Sequence, residues 1–382
     1  MATRILFVHD AAIIGGAELH LLSVARHFRE SATVVLFADG PFRQALEAAG
    51  VRVRVFGSRW VVRGVRREGP RFSFANIASV IRLVWLTAHA ARGSDLIYAN
   101  SPKAVLVVSI ARLVRRKPVI WFLHDLLIET HFSPQSIRLL VAAANRTAAR
   151  IVANSKATAA AFVAAGGRGD RTRVVYYGVD AAPFTDTGVE LSALRADLRP
   201  DGSYIAGIFG RMTRWKGQDV VLRALVNVPS VVAVFVGAEE DPAFAEELRR
   251  LAHELRISDR VRFLGFREDV PQLMRAVDCV VHVPTDPEPF GRVVVEGVLA
   301  RRPVIATRYG GIPEIIENGV SGILIAPGSP DELANALRRV FSDRGAAAEM
   351  AATGRARALA FFNDKRMLSE IEQHLREIAS AS

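Results

Sequence analysis

Short β-branched runs alternate with longer amphipathic ones along nearly the whole chain. In the first half the short runs fall at 4–8, 33–37, 51–55, 95–98, 118–122, 151–153 and 173–176. Helical patterns lie between most of them, at 17–29, 41–49, 74–92, 102–113, 135–149 and 155–165. The period switches from near-continuous apolar to 3.6 residues, as buried parallel strands and their crossover helices require. A loose stretch at 180–203, carrying Pro183, Gly188, Pro200 and Gly202, breaks the rhythm. It then resumes at 204–209, 231–236, 261–264, 278–283, 303–306 and 322–325, each run followed by a helix candidate. The 382 residues exceed what one core usually holds. The order therefore predicts an α/β protein of two doubly wound domains, 1–182 and 200–362, about a linker at 183–199. The polar amphipathic segment 363–382 is expected to cap the second domain or to pack back on the first. One very large sheet fits the linker's composition poorly, and no short repeat supports a solenoid.

Half of the residues are hydrophobic and 23% are charged, which excludes a disordered or disulfide-framework chain. The most apolar stretches, around 77–91 and 104–114, are interrupted by Arg82, His89 and Arg112, so no membrane span is expected. Ile5–Val8 is too short for a signal peptide and reads as a first strand. The one cysteine, Cys279, cannot form an internal disulfide, which points to the reducing cytosol. The charge is lopsided. Residues 1–200 hold 27 basic and 14 acidic side chains (+13), leaving 23 and 25 (−2) for 201–382 and a net +11. Such a surplus suits nucleic acid, an anionic membrane or an acidic ligand. No zinc-finger spacing, aromatic RNA-binding signature or basic zipper is present, so nucleic acid is not an expected partner.

In doubly wound folds ligands bind beyond the carboxyl ends of the strands. The first strand leads into Gly15-Gly16-Ala17-Glu18, a glycine pair before a helix that lets backbone N–H groups approach an anion. It is neither a dinucleotide fingerprint nor a P-loop, and on these residues alone a plain tight turn is the better reading. The second half's first strand ends in Gly210-Arg211, with Arg214, Lys216 and Gly217 before a helix at Gln218. Cations at a strand end suit a pyrophosphate whose charge must be neutralised as it leaves; a solvated basic turn is the alternative. The most specific stretch runs from Pro284 through Glu288, Pro289, Phe290, Gly291 and Arg292 to Glu296. Glu288 falls in a loop and Glu296 about two turns along the helix 291–300, roughly 12 Å away at 1.5 Å per residue, the reach of a nucleoside diphosphate and its sugar. The amides of Phe290 to Val294, Val293 among them, open that helix and are expected to face the phosphates. Carboxylates suit sugar hydroxyls because they accept bidentate hydrogen bonds. His124-Asp125 follows another strand directly, and Asn154-Ser155 reads as a helix N-cap.

Together, Gly15-Gly16-Ala17-Glu18, His124-Asp125, Asn154-Ser155, Gly210-Arg211 with Lys216-Gly217, and Glu288-x7-Glu296 resemble the family-4 retaining glycosyltransferases of GT-B fold. Gly310-Gly311-Ile312-Pro313-Glu314 and Asn318-Gly319-x-x-Gly322 extend the likeness over nearly the whole chain. One small departure is Val283-Pro284 after His282, where many members have Pro-Ser. The resemblance implies two Rossmann-like domains with the active site in the inter-domain cleft, the first binding the acceptor and the second the nucleotide sugar. It implies a retaining, metal-independent hexosyltransferase without a cofactor, the nucleoside-diphosphate sugar being a co-substrate. By matching position, Arg211 and Lys216 hold the diphosphate, Glu296 the ribose and Glu288 the donor-sugar hydroxyls. The amides of Phe290, Gly291, Arg292 and Val293 and the Gly15-Gly16 loop contact phosphates and sugar. The backbone near Gly265-Phe266-Arg267 lies at the base, and His124 beside the reacting carbon. A UDP-sugar is favoured over GDP-mannose as donor, and a saccharide or lipid-linked acceptor in bacterial surface polysaccharide or glycoconjugate synthesis is expected. A nucleotide-sugar epimerase of similar fold, or a non-catalytic nucleotide-sugar-binding protein, is the alternative.

Residues 59–74 interleave Arg59, Arg63, Arg66, Arg67 and Arg71 with Trp60, Phe72 and Phe74. That pattern suits an anionic membrane surface or a polyprenyl-diphosphate acceptor, with a solvated basic loop as the alternative. It places the protein in the cytoplasm, peripheral to the inner face of the cell membrane.

Overall fold

The computed structural model describes residues 3–57, 74–185, 191–199 and 203–380. Arg59, Trp60, Arg63, Arg66 and Arg67, and part of the 183–199 stretch, lie outside the described residues. The chain forms two compact units, Met1–Gly178 with Asp364–Ser382, and Val179–Asn363.

The first unit is built on seven strands: β1 (Ile5–His9), β2 (Ala32–Leu36), β3 (Arg52–Val55), β4 (Leu96–Ala99), β5 (Val119–Leu123), β6 (Ala148–Ala153) and β7 (Thr172–Val174). Their order is β3-β2-β1-β4-β5-β6-β7, with every pair parallel. The winding direction reverses between β1 and β4, which is where such a sheet opens a crevice at its carboxyl edge. β1, β4 and β5 are buried at every position, as strands covered by helices on both faces must be. Trp121, Leu123, Ile97, Leu6 and Val8 pack in one core with Val105 and Val108 of the helix Pro102–Val114. Each such aliphatic side chain contributes about 1.5–3 kcal/mol by leaving water. The C-terminal helix Asp364–Ser380 belongs to this unit: Ser23 Oγ donates to Asp364 at 3.1 Å, and Arg150 pairs with Glu377 at 3.0 Å.

The second unit repeats the plan with β8 (Tyr204–Phe209), β9 (Val231–Val236), β10 (Val261–Gly265), β11 (Cys279–His282), β12 (Val304–Thr307) and β13 (Ile323–Ile325). They form a parallel sheet in the order β10-β9-β8-β11-β12-β13, reversing between β8 and β11.

Helix starts are specified locally. Ser101, Ser133, Asp241 and Ser329 each cap a helix whose first residue is proline, the side-chain oxygen accepting a backbone N–H in the first turn. Ser155 caps the helix Lys156–Ala164 in the same way, accepting from Thr158 N–H at 3.0 Å. Among the described residues no helix is long and apolar enough to cross a membrane.

Candidate functional site

In the second unit the switch point between β8 and β11 gathers the charged residues. β8 ends at Phe209, and the turn through Gly210 and Arg211 leads by Lys216 to the helix Gln218–Leu225. Gly217 closes that turn at φ +72°, and a Cβ there would lie 2.0 Å from the Val283 carbonyl oxygen, so no other residue fits. Thr285 N–H donates to the Trp215 carbonyl at 2.8 Å, tying the loop after β11 to the loop after β8. The result brings Lys216 Nζ to 2.7 Å from Glu288 Oε2, each side chain under 15% exposed. Lys216 also lies over the Trp215 ring, 4.0 Å from its centroid. His282, the last residue of β11, places Nε2 3.3 Å from the same carboxylate oxygen, and that nitrogen makes no hydrogen bond among the described residues.

Burial alone would raise the pKa of Glu288. The Lys216 charge, with the nearby His282, outweighs it and holds the carboxyl well below the usual carboxylate range. His282 shifts the other way: burial, helped by Lys216, lowers its pKa against the pull of Glu288. At neutral pH the cluster is a cation, a carboxylate and a neutral imidazole. The Glu288 backbone is fixed by a parallel bridge to Gly310, with Gly311 N–H donating to the Glu288 carbonyl at 2.8 Å.

Gly291, at φ +104°, starts the helix Arg292–Leu299. Val294 N–H turns back to the Gly291 carbonyl at 2.9 Å, so that amide is engaged within the first turn. Arg292 reaches along the helix to Glu296, Nε to Oε1 2.8 Å. Glu296 has a raised pKa because burial outweighs the opposing Arg292 charge. Val293 is half-buried. Phe290 is a core residue, its ring edge-on to Phe362 at 5.7 Å. Arg211 is half exposed and pairs with Glu240 at 2.6 Å, and Phe266, after β10, is 73% exposed.

In the first unit the ends of five adjacent strands build a polar network. His9 ends β1, Asn100 follows β4, His124 follows β5, Asn154 follows β6, and Tyr177 lies just beyond β7. His9 Nε2 is 2.7 Å from Glu18, whose other oxygen accepts the Gly15 N–H at 2.9 Å. The Gly15 amide is thus occupied from within the chain, while a Cβ on Gly16 would meet nothing within 4 Å. Asn100 Nδ2 lies 3.3 Å from both His9 Nδ1 and the Ala17 carbonyl, and its Oδ1 is 2.9 Å from His124 Nε2. His124 Nδ1 meets the Tyr177 hydroxyl, and the His124 carbonyl accepts from Asn154 Nδ2 at 3.1 Å. Burial, with the charges of His20 and His9 added, lowers the pKa of His124 well below the imidazole value. For His9 the carboxylate of Glu18 outweighs burial and raises it. Beside His9, Asp10 pairs with Lys103 at 3.0 Å, which lowers the Asp10 pKa despite burial.

The structure therefore brings together Lys216 and Glu288, with His282, and, on the helix that follows, Glu296 and Arg292. It joins Gly15 and His124 through Glu18, which the glycine motif contains without a role assigned to it, and through His9 and Asn100, which sequence reading passed over. The one sequence signal of His9 and Asn100 is position, at the end of a strand; nothing local says that they meet.

Known proteins place this architecture. Residues 193–357 match the family "Glycosyl transferases group 1" and residues 15–178 match the "Glycosyl transferase 4-like domain". The fold is similar to that of HepE from Anabaena, in complex with UDP and glucose and with UDP-glucose: TM-score 0.90 and 38% identity, over 98% of this chain and 100% of that one. Sucrose-phosphate synthase from Thermosynechococcus elongatus shares the fold at TM-score 0.81 and 19% identity, each chain covered fully. Among curated relatives, D-inositol 3-phosphate glycosyltransferase of Mycolicibacterium gilvum is 38% identical over 177 residues, 45% of this chain and 39% of the relative. That of Salinispora arenicola is 31% identical over 261 residues, 60% of this chain and 55% of the relative. The chain thus spans about half the length of these curated relatives, or less. The chain belongs to the group 1, family-4-like glycosyltransferases of GT-B fold, the class of enzyme that moves a sugar from a nucleoside-diphosphate donor.

Proposed function

We propose that the chain transfers a hexose, glucose foremost, from its uridine diphosphate with retention of anomeric configuration. The observation that carries the reading is the Lys216–Glu288–His282 cluster at the switch point of the second sheet. The likeness to HepE, bound to UDP-glucose, supports the base and the sugar. Departure of the diphosphate leaves negative charge on its oxygens, and a fixed cation nearby stabilises that charge without reorganising at the moment of reaction. Lys216 supplies that cation, already desolvated, and Arg211 adds a second charge able to bind two phosphate oxygens at once. Glu288, kept ionised, accepts from hydroxyls of the donor sugar, and Glu296 from the ribose. Phe266 offers an exposed ring at the base, and the amides from Phe290 to Val293 lie along the phosphates. The Gly15-Gly16 turn and His124, from the first unit, serve the sugar and its reacting carbon. Glu288 already holds Lys216, so it is not cast as a nucleophile. The acceptor hydroxyl attacks the anomeric carbon from the face the diphosphate leaves: the bond from that carbon to the diphosphate oxygen breaks, the bond to the acceptor oxygen forms, and the departing diphosphate takes the acceptor's proton.

Two features support an anionic, membrane-borne acceptor, a saccharide carried on a lipid diphosphate. The surplus charge lies in residues 1–200. The helices Phe74–Ala90 and Pro102–Val114 also pack side by side and expose Trp85 (64%) and Leu113 (81%), with Ile81, Ile110 and Val114. Asp95 is the one acid between 74 and 117, and it is paired with Arg4 at 3.0 Å, against Arg82, Arg112, Arg115, Arg116 and Lys117. Exposed aromatic and aliphatic side chains edged with cations suit an anionic bilayer. Such a site is peripheral to the cytoplasmic face.

Incubation with UDP-, GDP-, ADP- and TDP-sugars, scored for slow hydrolysis and for a rise in Tm, tests the donor. UDP-glucose is expected to stand out, a donor at about 100 times its Kd adding about 2.7 kcal/mol. Inversion of a free UDP-sugar without transfer would replace the reading with an epimerase. Sedimentation with phosphatidylglycerol vesicles tests the membrane side: Leu113→Ser with Arg115→Ser and Arg116→Ser is expected to lose binding at low salt. Equal binding by the triple variant would remove it.

A further inference from the structure

We infer that Asn100 is a positioning residue for glycosyl transfer, fixing the tautomer and ring orientation of His124 so that Nδ1 alone is left to meet the sugar. The inference rests on the transferase reading above for the role of His124, but its geometry does not. Asn100 is fully buried, so its amide must find partners inside the unit. The Ala17 carbonyl, 3.3 Å away, can only accept, which turns Nδ2 toward Ala17 and His9 and leaves Oδ1 facing His124 at 2.9 Å. An oxygen at Nε2 requires Nε2 to carry the proton. The ring is neutral, since burial and the nearby His20 and His9 oppose a second proton, so Nδ1 is an acceptor and the Tyr177 hydroxyl donates to it. Ionisable groups that face these imidazoles include Tyr98, which meets His20 at 3.0 Å, Glu18, which holds His9, and Asp10, paired with Lys103 beside His9.

Asn154 pins the His124 carbonyl at 3.1 Å, so the backbone and one ring nitrogen are held by buried amides. The Tyr177 hydroxyl is the exchangeable partner. A donor-sugar hydroxyl that replaces it donates a hydrogen bond to Nδ1 and keeps its proton, which makes His124 a hydrogen-bond acceptor and neither an acid nor a cation. Wrong tautomers in such a ring are costly because donor and acceptor roles at the substrate are exchanged.

The test uses the full chain with UDP-glucose and three variants. Asn100→Ala is expected to lower UDP-glucose hydrolysis about 100-fold, the scale of a misplaced reacting group, with UDP affinity unchanged. Asn100→Asp keeps an oxygen at Nε2 and is expected to retain more turnover than Asn100→Ala. Tyr177→Phe removes the competing hydroxyl and is expected to keep the His124 proton on Nε2 in nitrogen-15 spectra; a proton moved to Nδ1 there would assign the tautomer to Tyr177 and overturn the inference. Nitrogen-15 imidazole spectra of the wild type are expected to show His124 neutral with its proton on Nε2, and Asn100→Ala to lose that single tautomer. A wild-type proton on Nδ1, or Asn100→Ala turning over like the wild type, overturns the inference. Should Asn100→Ala fail to fold, the wild-type spectrum and Asn100→Asp decide it. A wild type that binds no UDP would sink the transferase reading instead, while the spectrum still tests the tautomer.

Discussion

At the scale of single residues, the two glutamates of the second unit have their pKa values shifted in opposite directions. Glu288 has its pKa depressed below the ordinary 4.5, so its ionised form is favoured by the fold. That contribution to stability is fully present above pH 4.5 and is lost as the pH falls from there toward the depressed value. Glu288→Gln removes the group that titrates. The unfolding temperature of that variant is expected to fall less steeply than the wild type's between pH 5 and about pH 3, and parallel slopes would contradict the pairing with Lys216. Glu296 carries the reverse sign: its pKa is raised, so ionising it costs the folded state, and the cost appears as the pH rises above 4.5. Glu296→Gln should therefore be at least as stable as the wild type at pH 7 while binding UDP more weakly, the trade of stability for function common at binding sites. A destabilised variant with unchanged UDP affinity would show that Glu296 is a structural carboxylate.

At the scale of elements, the loop carrying Glu288 is shaped by a neighbour 22 residues on. Gly310 has φ +65°, and a Cβ there would sit 2.1 Å from the Glu288 carbonyl oxygen. A left-handed alanine costs about 1–2 kcal/mol before the clash is counted. Gly310→Ala is thus expected to lower Tm and UDP affinity together, read by thermal unfolding and calorimetry, whereas loss of Tm alone would separate the turn from the site. The elements themselves are largely legible in the sequence, because a parallel strand buried on both faces must be a nearly unbroken apolar run, as Val231–Val236 is. β6 shows the limit. It begins at Ala148, directly after the helix Pro134–Thr147, and Ala148-Ala149-Arg150 carries no β-branched signal to mark the change. Glu288 and Glu296 are legible as a spacing, since both lie on one continuous stretch, whereas Lys216, 72 residues before Glu288, joins them only through the fold. The network around His124 is not legible, because His9, Asn100, His124 and Tyr177 come from the ends of separate strands, and strand order is a property of the whole sheet.

At the scale of the whole molecule, the same winding occurs twice, and the two carboxyl edges carry different chemistry. The second unit holds a cation and carboxylates suited to a diphosphate and its hydroxyls. The first holds a network of three imidazoles, amides and phenols, with the pairs His9–Glu18 and Asp10–Lys103 beside His124. A neutral His124 held by buried amides suits a sugar and its reacting carbon better than a phosphate, which needs fixed positive charge. UDP without its sugar should therefore act on the second unit. In hydrogen exchange measured by mass spectrometry, UDP is expected to slow peptides covering 209–218 and 286–300 more than those covering 96–104 or 119–127, by the stabilisation that any ligand confers on the state it binds. UDP-glucose should add protection around 119–127, because only the sugar calls on His124. Protection by UDP alone that is strongest in the first unit would reverse the division of labour proposed for the two sheets.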